Sequence, residues 1–166
     1  AASSVYLLGD SMLDNALYVA KDKSVYSRVK ATIPDTHLVA RDNTFVDGLP
    51  MQISKLGRRK GNVFISAGGN DILDLDPDSP DAPTYLAMTF DRYKSYVRPL
   101  LSSRHLKCHL LDIYYPIDCG VDPYFPMVDQ WNEMLREFVN SSHCSLISVS
   151  QALSNPEDFT SCIEPS

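Results

Sequence analysis

The stretch Val5-Tyr6-Leu7-Leu8-Gly9-Asp10-Ser11 decides how this chain is read. Val5 to Leu8 are β-branched, aromatic or apolar, the composition of a short strand buried on both faces. Gly9 and Asp10 break that run, and Ser11 opens a segment with helical spacing. Open α/β sheets bind ligands at the carboxyl ends of their strands, which is where this serine falls. A serine there can act as a nucleophile once a base lies within reach. Its plainer role would be to cap the segment that follows.

Four further short apolar runs repeat the pattern: Thr36–Ala40, Val63–Ala67, Cys108–Ile113 and Ser145–Val149. Helical spacing separates them. Leu86, Phe90, Tyr93 and Val97 recur at four, three and four, and Pro99 is expected to stop that helix. Val128, Trp131, Leu135 and Phe138 form a second apolar stripe, which places Trp131 against the sheet. Strands alternating with helices imply a mostly parallel sheet covered on both faces. The expectation is one three-layer α/β domain over residues 1–166.

Composition narrows the function. A formal charge of −6 argues against nucleic acid, which calls for a basic surface. No apolar run is long enough to cross a bilayer. The lone basic run, Arg58-Arg59-Lys60, reads as a solvated turn. Cys108, Cys119, Cys144 and Cys162 lack a C-x-x-C pair, which disfavours a zinc site. Two disulfides and four buried thiols both stay open, and an intracellular or organellar setting is favoured over secretion. Asn140-Ser141-Ser142 fits a glycosylation sequon. The chain starts at Ala1, through a removed leader or a trimmed sequence.

Asp74, Asp76 and Asp78 begin with calcium-loop spacing inside the acidic stretch Asp71–Pro83. The sixth position is Ser79 and the twelfth Tyr85, where glycine and glutamate are required, so no metal is expected. Gly9-Asp10-Ser11-Met12-Leu13 lacks the glycines of a phosphate loop, and no nucleotide, flavin or other cofactor is expected.

Three segments at the ends of the first three predicted strands carry more information together than singly. They are Gly9-Asp10-Ser11, Ala40-Arg41-Asp42-Asn43-Thr44 and Gly68-Gly69-Asn70-Asp71. In that order they resemble the SGNH (GDSL) hydrolase family over nearly the whole chain. The resemblance implies a flavodoxin-like fold and the chemistry of esterases, lipases, thioesterases and carbohydrate deacetylases. It puts Ser11 at the nucleophile position. The Ser11 N–H, the block-two residue Asn43 and the Asn70 side chain would form the oxyanion hole, with Gly48 the alternative to Asn43 if the alignment slips. Gly9, Asp10, Gly68, Gly69 and Asp71 would support them. Donors fixed at strand ends suit acyl transfer, because they meet a developing oxyanion without reorganising.

The family's last block, Asp-x-x-His-Pro, falls on Ser161, Glu164 and Pro165, so neither the aspartate nor the histidine is present. His37, His105, His109 and His143 begin, precede or sit inside predicted strands, at the wrong end of the sheet. Glu164 is therefore the candidate base, provided that burial or like charge from Asp10 or Asp71 raises its pKa. Losing the histidine of a serine protease costs on the order of a million-fold in turnover, so the change matters. The family also continues into a helix that packs on the sheet, whereas this sequence stops at Ser166. If nothing was trimmed, one apolar flank would be open to a protein partner. Two functions follow. One is an ester hydrolase acting through Ser11 on a small ester; the other is a non-catalytic SGNH-like domain that serves as a binding or structural subunit.

Overall fold

The computed structural model describes residues 3–160 and 162–166; the start at Ala1 and the family position at Ser161 lie outside them. Five parallel strands form one sheet: β1 (Val5–Gly9), β2 (Thr36–Leu38), β3 (Gly61–Ser66), β4 (Leu106–Leu111) and β5 (Ser145–Ile147). Their spatial order is β2-β1-β3-β4-β5. The chain steps from β1 to one side, then returns to build β3 on the other. That reversal is the switch point at which open α/β sheets hold ligands.

The helices are α1 (Val25–Thr32), α2 (Leu49–Ser54), α3 (Gly69–Leu73), α4 (Ala82–Leu101), α5 (Phe125–Asn140) and α6 (Val149–Ala152). A two-stranded antiparallel hairpin, β6 (Phe159–Thr160) with β7 (Glu164–Pro165), closes the chain. On one face of the sheet Leu8, Val63, Ile65 and Leu110 meet α4 and α5. Val5, Leu7 and Leu111 lie on the other with α1 and Val149. Every residue of β1 is buried, which explains its unbroken apolar run.

Trp131 fills the larger core. It is fully buried, with Phe90 edge-on at 5.0 Å and Tyr93 at 5.3 Å. Its ring lies against Gly68, where an added Cβ would stand 2.5 Å from the indole. Gly68 also has φ +107, so position 68 excludes a side chain on two counts.

Several expectations need correction. The segment after Ser11 is a set of turns rather than a helix: the Leu13 and Asp14 N–H groups close one turn on the Asp10 carbonyl, and the pattern does not continue past it. Helix α4 runs through Pro99 to Leu101; the proline forgoes the one bond back to the Ser95 carbonyl, and the helix ends two residues later. The second strand ends at Leu38 because the Val39 and Ala40 N–H groups both turn to one carbonyl, that of Leu7. The acidic loop is shorter than expected, since α3 and α4 claim both its ends. The cysteines divide: Cys119 and Cys162 form a disulfide, while Cys108 and Cys144 are free. On the sheet face over β3 to β5, His109 bridges Asn62 and Ser145 and stacks on Phe64, so that face mixes polar and apolar groups. Among the described residues, no helix is long and apolar enough to cross a membrane.

Gly68→Ala should cost about 3 kcal/mol, from overpacking against Trp131 and a disfavoured φ. Urea unfolding measures it; a cost below about 1 kcal/mol would show that the indole can move aside.

Candidate active site

Ser11 follows directly from the way β1 ends. Gly9 lies beside Ser66 of β3, so close that a Cβ at residue 9 would meet the Ser66 carbonyl oxygen at 1.7 Å. Gly9 has φ +116, and the Asp10 N–H donates to that same carbonyl. The Gln52 side chain of α2 brackets the turn. Its Oε1 accepts from the Gly9 N–H at 2.7 Å and its Nε2 donates to the Gly9 carbonyl at 3.0 Å. The turn that carries the serine is thus fixed from both strands and from a helix.

Inside the turn, Asp10 Oδ1 accepts from the Met12 N–H and from the Ser66 hydroxyl, each at 3.1 Å. The Ser11 hydroxyl donates to Glu164 Oε1 at 3.0 Å, across 153 residues of sequence. Both side chains are buried. The second carboxylate oxygen, Glu164 Oε2, is buried without a partner among the described residues.

Burial dominates the electrostatics. It raises the Asp10 pKa to about 7, against the pull of its two hydrogen-bond donors, and the Glu164 charge adds to the rise. Burial also raises the Glu164 pKa; the bond from Ser11 opposes this and the Asp42 charge reinforces it. Desolvation disfavours a carboxylate's charged form, which makes that form a stronger base. Asp42, rather than Asp71, is the second acidic neighbour of Glu164. Asp71 is turned away, its carboxyl accepting the Val46 N–H at 3.0 Å.

Asp10, Ser11, Gly69, Asn70 and Glu164 line one cleft of about 700 Å³, counted with its open mouth. Asn70, on α3, donates through Nδ2 to the Thr44 carbonyl at 3.0 Å, which leaves its second amide proton for another acceptor. Among the described residues, the Ser11 N–H meets no acceptor. Asn43 is exposed and does not line the cleft. Its φ of +63 explains how asparagine can stand in a left-handed turn there. Gly48, the alternative, belongs to a short 3₁₀ turn (Val46–Gly48) outside the cleft lining.

The four histidines also lie outside the cleft lining. His37 bonds Asp35, His109 bridges Asn62 and Ser145, and His105 and His143 are exposed. Three residues of the site went unread in the sequence. Gln52 and Ser66 act through contacts 43 and 56 residues distant. Tyr114, in the cleft wall, donates from its hydroxyl to the Ile163 carbonyl at 2.8 Å. No sequence motif marks any of the three. Among the described residues, no group of three or more His, Cys, Asp or Glu could hold a metal ion.

No protein-family model matches the sequence, and no curated protein matches it. Solved structures do. A member of the lipolytic G-D-S-L family from Veillonella parvula aligns at TM-score 0.72 and 17% identity, over 99% of this chain and 90% of that one. A lipase from a goat rumen metagenome aligns at 0.73 and 12%, over 98% and 90%. The fold is that of the SGNH (GDSL) hydrolases. An acetylxylan esterase from Geobacillus stearothermophilus shares this SGNH fold at TM-score 0.70 and 17% identity, over 99% and 89%.

Asp10 also gives the domain a pH signature. Its folded pKa stands above its ordinary 3.8, so its contribution to stability is full below about pH 4 and is lost as pH rises through about 7. Asp10→Asn keeps an acceptor for Met12 and Ser66 and removes the titration. Urea unfolding at pH 4.5 and pH 8 should show wild type losing more stability between the two than the variant. Equal losses would mean that Asp10 titrates normally.

Proposed function

We propose that the protein is a serine ester hydrolase in which Glu164, rather than histidine, activates Ser11. The observation that carries this reading is the 3.0 Å bond from the Ser11 hydroxyl to Glu164 Oε1 inside a cleft. Glu164 takes the Ser11 proton as Oγ attacks the ester carbonyl carbon. The developing oxyanion meets the Ser11 N–H and the free amide proton of Asn70. Protonated Glu164 then passes its proton to the leaving alkoxide, and water hydrolyses the acyl-serine by the same route. Asn43 contributes as the left-handed residue that aims the Thr44 carbonyl at Asn70.

The cleft also speaks to the substrate. Ile72, Leu73, Ile113, Tyr114, Phe125 and Val128 make most of its wall apolar. A carboxylic ester with an apolar acyl group fits that lining, and the buried carboxylates disfavour anionic substrates. The names of the structural neighbours, lipase and acetylxylan esterase, support the class. A second reading, a catalytically silent SGNH-like domain that binds a protein partner, draws on the histidine-free cleft.

Labelling with a fluorophosphonate probe separates the two. Wild type should label at Ser11, Ser11→Ala not at all, and Glu164→Gln more slowly by about 10²–10⁴-fold, the usual worth of a general base. The labelling rate should rise with pH through a limb above the ordinary carboxylate range, because Glu164 must be ionised to accept the proton. Wild type indistinguishable from Ser11→Ala would overturn the hydrolase reading in favour of the binding domain.

A further inference from the structure

Glu164 does not sit on the sheet that fixes Ser11. It lies on the β6–β7 hairpin, whose two strands hold two residue pairs: Phe159 with Pro165 and Thr160 with Glu164. A two-stranded hairpin of this size is marginal on its own, and Pro165 has no N–H to add to it. Among the described residues, its other ties include the Ser11 bond to Glu164 and the burial of Glu164 and Pro165. Ser166 donates to the Asp158 and Glu157 carbonyls, Tyr114 donates to Ile163, and the Phe159 ring packs 5.7 Å from Tyr114. The covalent tie is the disulfide from Cys162 to Cys119, Cα to Cα 5.6 Å, across 43 residues.

The placement of this bond is informative at both ends. Cys162 lies two residues before Glu164, so the bond fixes backbone within about 7 Å of the base. Cys119 lies between Pro116 and Val121, which both line the cleft. One covalent bond therefore joins the segment presenting the base to the loop forming the cleft wall.

We propose that the Cys119–Cys162 disulfide is a positioning element for Glu164, making activation of Ser11 conditional on the oxidised pair. The proposal rests on the reading of Glu164 as the base. Reduction by a dithiol breaks the sulfur–sulfur bond. The pair takes up two electrons and two protons to give two thiols, and the dithiol closes to its own disulfide. Among the described residues, the hairpin then keeps its hydrogen bonds, the Tyr114 contact and the packing of β7, and Glu164 gains water and freedom. A misplacement of about 1 Å in a catalytic group can cost 10²-fold.

The test compares the intact protein, oxidised and treated with dithiothreitol, with the double variant Cys119→Ser/Cys162→Ser. Fluorophosphonate labelling of Ser11 is followed from pH 5 to 9, and hydrogen exchange is followed over residues 157–166. Thermal melting by circular dichroism checks that the sheet stays folded. Reduction should slow labelling by about 10–100-fold and speed exchange at the Ser166 N–H. It should also move the acid limb down towards the ordinary carboxylate range, as Glu164 becomes solvated. Oxidised glutathione should restore all three, while the double variant should match the reduced protein and ignore reductant. Unchanged labelling and exchange on reduction would overturn the proposal. So would slower labelling with an unmoved acid limb, which marks a merely structural bond. If the oxidised protein never labels, the hydrolase reading falls, and exchange alone decides whether the bond holds Glu164 in place.

Discussion

The close approach of Gly9 to the Ser66 carbonyl governs the site. Parallel pairing brings β1 and β3 together to the last residue of each, and no side chain fits between them at that point. The glycine turns there, so Asp10 points inward to the Ser66 hydroxyl and Ser11 emerges over the strand ends. Two residues beyond Ser66, Gly68 makes a second turn of the same kind, under Trp131, and starts α3 with Asn70 facing the cleft. Ser11 and the Asn70 amide are thus set by backbone geometry at neighbouring strand ends. Such elements cannot drift apart without tearing the sheet.

Electrostatics then work on this rigid frame. Asp10, Glu164 and Asp42 bring carboxyl groups together, and burial penalises the ionised forms of Asp10 and Glu164 more than their hydrogen bonds relieve them. Glu164 Oε2 adds a buried acceptor that meets no donor among the described residues. A domain selected for stability alone would have little reason to keep two carboxyls so placed. Perturbed carboxyls gathered in a cleft are the company that functional sites keep.

The sheet was legible because its strands are buried on both faces, and such strands write themselves as apolar runs. The strand-end motifs were legible because glycine is required where strands crowd, as at Gly9 and Gly68. What escaped the sequence depends on distance or on shared acceptors. The early end of β2 comes from two N–H groups competing for the Leu7 carbonyl, which no propensity foretells. The bracket from Gln52 is an ordinary amide until folding carries it to Gly9. The pairing of Cys119 with Cys162 could not be told from four free thiols, because spacing alone does not fix which sulfurs meet.

The four histidines lie outside the cleft, so in the proposed reading a carboxylate takes the part in which a serine hydrolase usually presents an imidazole. The exchange alters what the site must supply. An imidazole needs a third group to fix its tautomer and orientation, which is the role of the acid in a triad. A carboxylate has two equivalent oxygens and no tautomer, so as the proposed base Glu164 needs no such partner. What it lacks is basicity, and desolvation provides this by raising its pKa. What it lacks in rigidity must come from its backbone, and that backbone is a short hairpin held by Tyr114 and one disulfide. With glutamate as the proposed base, the burden of the site moves from a third side chain to burial and tethering. The structure supplies both around Glu164.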